Sequence, residues 1–117
     1  MDIRHLIGSD GESAAAAYLK RKRYKIIGMN YTCRFGEIDI IAQQNDCIVF
    51  VEVKTRKDER FAMAREFVTR SKQERLIKSA LLWQQQNDCD LPMRFDVIEV
   101  VGEGLRRRIT HIENAFE

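Results

Sequence analysis

A chain of 117 residues, 44% hydrophobic and 32% charged, carries enough apolar material for one core and too little for two, so residues 1–117 read as a single domain. No apolar run approaches a bilayer span, and no hydrophobic stretch with a cleavage site follows Met1–His5, which argues against a membrane protein and a secretory signal. The net charge of +2 does not by itself identify a nucleic-acid binder, and three separated cysteines without a C-x-x-C pair argue against zinc or disulfides and for a reduced cytoplasmic setting.

In chain order, Ser9 to Arg23 reads as a helix. Ser9 is its expected N-cap, Glu12 the capping-box partner, and Ala15, Tyr18 and Leu19 its apolar stripe. Strands are expected at Tyr24–Tyr31, Glu37–Gln43 and Cys47–Thr55, the last two joined by a turn at Asn45-Asp46. Arg56–Arg70 is polar and irregular, with Phe61, Met63 and Phe67 as apolar anchors. A second helix is expected over Lys72–Gln86, capped by Ser71 with Glu74 and buried through Ile77, Ala80, Leu81 and Trp83. Pro92 then precedes a strand at Arg94–Val101, and Gly102-Glu103-Gly104 turns into a last strand at Leu105–Ile112. The order helix, three strands, helix, two strands describes an α/β fold with a mixed sheet flanked by helices.

The chemistry concentrates in Gly36-Glu37-Ile38-Asp39-Ile40-Ile41-Ala42 and Val49-Phe50-Val51-Glu52-Val53-Lys54-Thr55-Arg56. A two-residue turn at Asn45-Asp46 sets Asp39 across from Glu52 and Glu37 across from Lys54. Ile38, Ile40, Ala42, Val49, Val51 and Val53 then share one apolar face, and a one-residue slip would bury the charges. Facing carboxylates destabilise a hairpin unless a cation lies between them, and Mg²⁺ is commonly held by one or two carboxylates. Lys54, two residues from Glu52, would orient water or stabilise charge on a phosphate. The plainer alternative is a solvated hairpin end with Glu37–Lys54 as a cross-strand ion pair.

GEIDIIA followed by VFVEVKTR resembles the YraN-like family of bacterial proteins. The core is similar to the restriction-endonuclease-like superfamily, with its PD-(D/E)-x-K motif, and to archaeal Holliday-junction resolvases. Gly11-Glu12, Asn30, Lys72 and Arg94-Phe95-Asp96-Val97 extend the likeness over most of the chain. Ile38 stands where the motif has its proline, and Ala62 and Ala64 where relatives usually carry a glycine.

The resemblance implies a restriction-endonuclease-like core of order αβββαββ and a metal-dependent endodeoxyribonuclease acting on DNA, with branched or junction DNA as substrate. It implies Mg²⁺ or Mn²⁺ held by Asp39, Glu52, the Val53 carbonyl and Glu12, with Asp39, Glu52 and Lys54 as the catalytic set. Glu12 has a competing role as the capping-box partner of Ser9.

Lys72, expected at a helix start where the macrodipole disfavours a cation, reads either as a phosphate contact or as a solvated lysine. Arg56 reads as a second DNA contact. The clusters Lys20–Arg23, Lys25, Lys57, Arg60 and Arg106–Arg108 either track a phosphate backbone or form solvated faces. Two matched cuts in a two-fold junction require a homodimer, for which Phe61, Met63, Phe67 and Phe116 are candidate interface residues. The rival functional reading is a non-catalytic nucleic-acid-binding or protein-interaction module on the same fold.

Overall fold

The computed structural model describes residues 3–56 and 68–116, with side chains from residue 11 onward in the first helix. The expected anchors Phe61, Met63 and Phe67, the loop residues Ala62 and Ala64, the cations Lys57 and Arg60 and the Ser9 side chain lie outside the described part.

The elements are α1 (Ile3–Arg21), β1 (Lys25–Cys33), β2 (Gly36–Gln44), β3 (Cys47–Arg56), α2 (Arg70–Gln86), β4 (Met93–Val101) and β5 (Arg108–Phe116). One five-stranded sheet runs in the order β1-β2-β3-β4-β5. Among the described residues only β3 and β4 are parallel, joined by the α2 crossover, and the remaining neighbours are antiparallel. This is the αβββαββ order and mixed sheet of the restriction-endonuclease-like core.

Both faces of the sheet are buried. Ala15, Ala16 and Leu19 of α1 pack on Ile40, Ala42, Val49, Val51, Ile98 and Val100. On the opposite face, Leu76 and Ala80 of α2 pack on Ile41, Ile48, Phe50, Phe95 and Val97. The apolar face expected for the hairpin is therefore only half of its core. Strands covered on both faces by helices read as continuous hydrophobic runs, as Ile48–Val51 does.

Helix α1 begins at Ile3, so Ser9 is interior to it and cannot be its N-cap. Gly8, Ser9 and Gly11 look like a helix start because each is a poor helix interior residue, and tertiary packing overrides that preference. The C-terminus needs no glycine. Arg23 takes a left-handed conformation (φ 69°), and Tyr24 N–H donates to Leu19 O (2.9 Å) and Arg23 N–H to Lys20 O (3.0 Å). This pair of bonds closes the helix, with Tyr24 and Leu19 in the same apolar cluster.

Helix α2 is capped by Thr69, whose hydroxyl accepts from Lys72 N–H at 3.1 Å, and not by Ser71. Val68 is buried beside Leu76, and the Gln73 side chain donates to Val68 O (3.0 Å). These contacts start the helix before Ser71 and leave Lys72 as its third residue rather than its first. The last strand also lies later than its glycines suggest. Gly102 and Gly104 adopt positive φ, a 3-10 turn spans Gly104–Arg106, and Leu105 is fully exposed. Strand β5 extends to Phe116, which stacks on Phe95 at 5.1 Å.

Candidate metal site

The hairpin register follows the expected sum of residue numbers. Ile40 pairs with Val51, Ile41 with Phe50, Ala42 with Val49, Gln43 with Ile48 and Gln44 with Cys47. Asp39 and Glu52 lie one step beyond the last of these pairs. There the alternation of β2 also breaks, because Ile38 joins the α2-side cluster whereas Ile40 joins the α1-side cluster. On β1, Asn30 lies between the partners of Ile40 and Ile38 and holds a left-handed φ of 53°, a conformation asparagine tolerates better than most residues.

Where the ladder ends, the Val53 N–H turns to the Asp39 side chain and donates to Oδ2 at 2.8 Å. Val53 thus contributes its N–H to the site as a brace for Asp39. Glu12 from α1 and Glu37 from β2 bring carboxylate oxygens to Asp39, and the three lie within 4.8 Å of one another. Since Ser9 is interior to the helix, the capping-box role considered for Glu12 falls away.

Burial pushes the Asp39 pKa up, and the negative charges of Glu52, Glu12 and Glu37 add to the effect. The Val53 N–H opposes them, and the net result is a pKa of about 7. Glu52 is 6% exposed, and Lys72 Nζ lies 2.5 Å from its Oε1. Lys72 therefore projects from α2 onto the buried carboxylate of β3.

Asp39 and Glu52 open onto one cleft of about 320 Å³, lined also by Phe35, Gly36, Glu37, Lys72, Arg75 and Leu76. Lys54 is half-buried two residues along β3 from Glu52 and sits in register with Glu99 of β4. Arg56, expected to contact DNA, forms an ion pair with the buried Glu99, its own side chain 13% exposed. The site thus gathers Asp39, Glu52, Glu12 and Lys72, and it holds Arg56 in an internal ion pair.

Sequence reasoning placed Glu37 opposite Lys54 and did not place it in the acidic group. Its position two residues from Asp39 on one strand was the available signal. Phe35 and Arg75 carried none. A second polar cluster lies under α1. Asp96, wholly buried, accepts from Arg94 Nε (2.9 Å) and Asn114 N–H (3.0 Å) and meets His111 Nε2 at 2.7 Å. Burial pushes the Asp96 pKa up, but these hydrogen bonds outweigh it and hold the group below its usual value. Tyr18 and Tyr24 complete this network and pack in the core.

The model of the Uncharacterised protein family UPF0102 matches residues 11–100, from the glycine before Glu12 to Val100 of β4. The chain belongs to UPF0102. This is the YraN family that the hairpin motif resembles. A UPF0102 protein of Geobacter metallireducens is 48% identical over 112 residues, covering 95% of this chain and 92% of the relative. A UPF0102 protein of Alkaliphilus oremlandii is 48% identical over 113 residues, with 94% and 97% covered. UPF0102 protein VP0448 of Vibrio parahaemolyticus is 45% identical over 112 residues, with 94% and 91% covered. The matched segment of the UPF0102 model contains Glu12, Asp39, Glu52, Lys54 and Lys72. Among the described residues, no helix is long and apolar enough to cross a membrane.

Proposed function

We propose that this UPF0102 protein is a Mg²⁺- or Mn²⁺-dependent endodeoxyribonuclease that hydrolyses phosphodiester bonds, with branched DNA as its substrate. The observation that carries the reading is the convergence of the Glu12, Glu37 and Asp39 carboxylates within 4.8 Å, beside a cleft that Glu52 of the facing strand also lines. Carboxylate oxygens alone make a hard-donor set, which suits Mg²⁺ or Mn²⁺ over zinc or copper. The raised Asp39 pKa reflects burial together with the neighbouring carboxylates, and a cation would relieve that repulsion. Glu12, Glu37 and Asp39 would hold the ion, and Glu52 and the Val53 carbonyl complete the set expected from the motif.

When bound, the ion lowers the pKa of a coordinated water and offsets phosphate charge. The protein's own groups supply the rest. The Val53 N–H fixes the Asp39 carboxylate in one orientation. Lys54 would position the attacking water and stabilise charge developing on the phosphate. Lys72 pairs with Glu52 in the metal-free protein and would exchange that contact for a substrate phosphate.

A second reading has a specific observation behind it. The Lys72–Glu52 ion pair already satisfies one of the two motif carboxylates internally, as it would in a non-catalytic binding module. Incubation with single-stranded, duplex, flap and four-way-junction DNA in Mg²⁺ and Mn²⁺ separates the two. The nuclease reading expects cleavage that Asp39→Ala and Lys54→Ala abolish. Binding without cleavage of any substrate, or cleavage that survives Asp39→Ala, overturns it.

A further inference from the structure

A phenylalanine stands in the wall of the acidic cleft and belongs to neither apolar cluster. This residue, Phe35, lies with Arg34 in the turn between β1 and β2 and is half-buried. Two-residue hairpin turns favour glycine, asparagine and aspartate, so an aromatic residue here is not explained by the turn. The core does not explain it either. The Arg34 guanidinium lies 4.9 Å from the ring centroid and the Lys78 ammonium 6.0 Å. Lys72, Arg75 and Lys78 recur every three residues along α2, and Lys72 and Arg75 line the same cleft.

The hairpin tip is held against α2. Cys33 Sγ donates to Ser79 Oγ at 3.3 Å, and Tyr31 OH donates to Gln86 Oε1 at 2.6 Å. The ring is therefore presented on an anchored support, which reduces the ordering cost of binding. Glu37, Asp39 and Glu52 in the cleft lining would repel a phosphate backbone, whereas Lys72 and the exposed Arg75 in the same lining attract it. A neutral base face is attracted by an aromatic ring whatever the local charge, and the adjoining phosphates pair with the cations. At about 320 Å³ the cleft is near the lower end of small-ligand pockets, a size that admits one nucleotide.

We propose that Phe35 is a stacking platform for an unpaired DNA base beside the acidic cluster, the base displacing the cations that lie over the ring, so that Arg34 and Lys78, with Arg75, contact the flanking phosphates. The substrate class narrows accordingly to DNA with a single-stranded segment, such as a free strand, a flap or an open branch point. This inference deepens the nuclease reading and rests on it for the cleavage step, but base stacking requires only binding. Duplex bases have no free face to offer the ring.

The test uses the full chain and a single-stranded oligonucleotide containing 2-aminopurine, beside the same sequence as a duplex. Ca²⁺ occupies the carboxylates, strand integrity is checked on gels, and the folding of each variant is checked by its melting curve. Phe35→Ala is expected to weaken single-strand binding roughly 5- to 100-fold, with duplex binding changed less than about twofold, while Phe35→Trp retains the affinity and quenches the probe. Equal single-strand affinity for Phe35→Ala and wild type, a parallel loss on both DNAs, or Phe35→Trp behaving as Phe35→Ala overturns the proposal. Cleavage in Mn²⁺, measured in parallel, separates the two ideas. Stacking without cutting removes the nuclease reading alone, and cutting with Phe35-independent binding removes the platform alone.

Discussion

Gly11 of α1 approaches Thr55 of β3 so closely that a Cβ on Gly11 would stand 2.3 Å from the Thr55 Oγ1. The approach sets the depth of α1 over the end of β3, one residue before Glu12 and one residue after Lys54. A glycine inside a helix costs about 1 kcal/mol relative to alanine. That cost is the counterpart of bringing Glu12 to Asp39. Gly11→Ala is expected to gain none of that stability and to weaken Mn²⁺ binding several-fold, since either α1 lifts or the stiff Thr55 side chain turns. Gly11→Ala with Thr55→Ala recovers both. Thermal melts and Mn²⁺ titration check this, and a stabilised Gly11→Ala with unchanged metal affinity contradicts it.

The raised Asp39 pKa has a definite consequence for stability. The folded group titrates near pH 7, above the usual carboxylate range of the unfolded chain, so the folded state binds the proton more tightly. Metal-free protein should therefore lose stability as pH rises from about 4 to about 7. Asp39→Asn removes that loss and is expected to be about 1–2 kcal/mol more stable than wild type at pH 8 without metal. Urea melts at pH 5 and pH 8 measure the difference. A pH-independent gap between the two proteins contradicts the account.

Lys72 tests whether Glu52 depends on an internal counter-ion. Lys72→Met leaves the buried Glu52 carboxylate without the Lys72 ammonium and is expected to cost about 1–3 kcal/mol in metal-free protein. Saturating Mn²⁺ should return part of that loss, because the cation substitutes for the ammonium. A neutral effect in metal-free denaturation would show that the ion pair contributes nothing to the fold.

Much of this arrangement was legible in the sequence for a simple reason. The β2–β3 register follows from apolar alternation around Asn45-Asp46, and it held from Ile40–Val51 to Gln44–Cys47. The helix caps were less legible. Ser71 with Glu74 matches a capping box, whereas Thr69, with Lys72 three residues on, does not, and the burial of Val68 decides for Thr69. The acidic cluster was half visible for a similar reason. Pairing rules place Glu37 opposite Lys54, but the ladder stops before those residues, and Glu37 turns to Asp39 and Glu12. Phe35 was invisible because an aromatic residue in a short turn has no periodicity to mark it.

The assembly expected for junction cleavage is a homodimer, since the described residues of one chain form one acidic cluster and two matched cuts need two. Phe116, a candidate interface residue, instead stacks on Phe95 and covers the core. Met29, Leu81 and Leu105 are the exposed large apolar side chains among the described residues. Sedimentation with saturating four-way-junction DNA should give two chains per junction. One chain per junction would leave nicking or flap trimming as the reaction.

The most direct test of the metal site is a crystal structure from Mn²⁺-soaked crystals, with the ion located by its anomalous scattering. The account predicts a peak among the Glu12, Glu37 and Asp39 carboxylates, within bonding distance of Asp39, and none there in Asp39→Asn. Strong peaks elsewhere in the wild-type protein, with these three carboxylates free of metal, would contradict it.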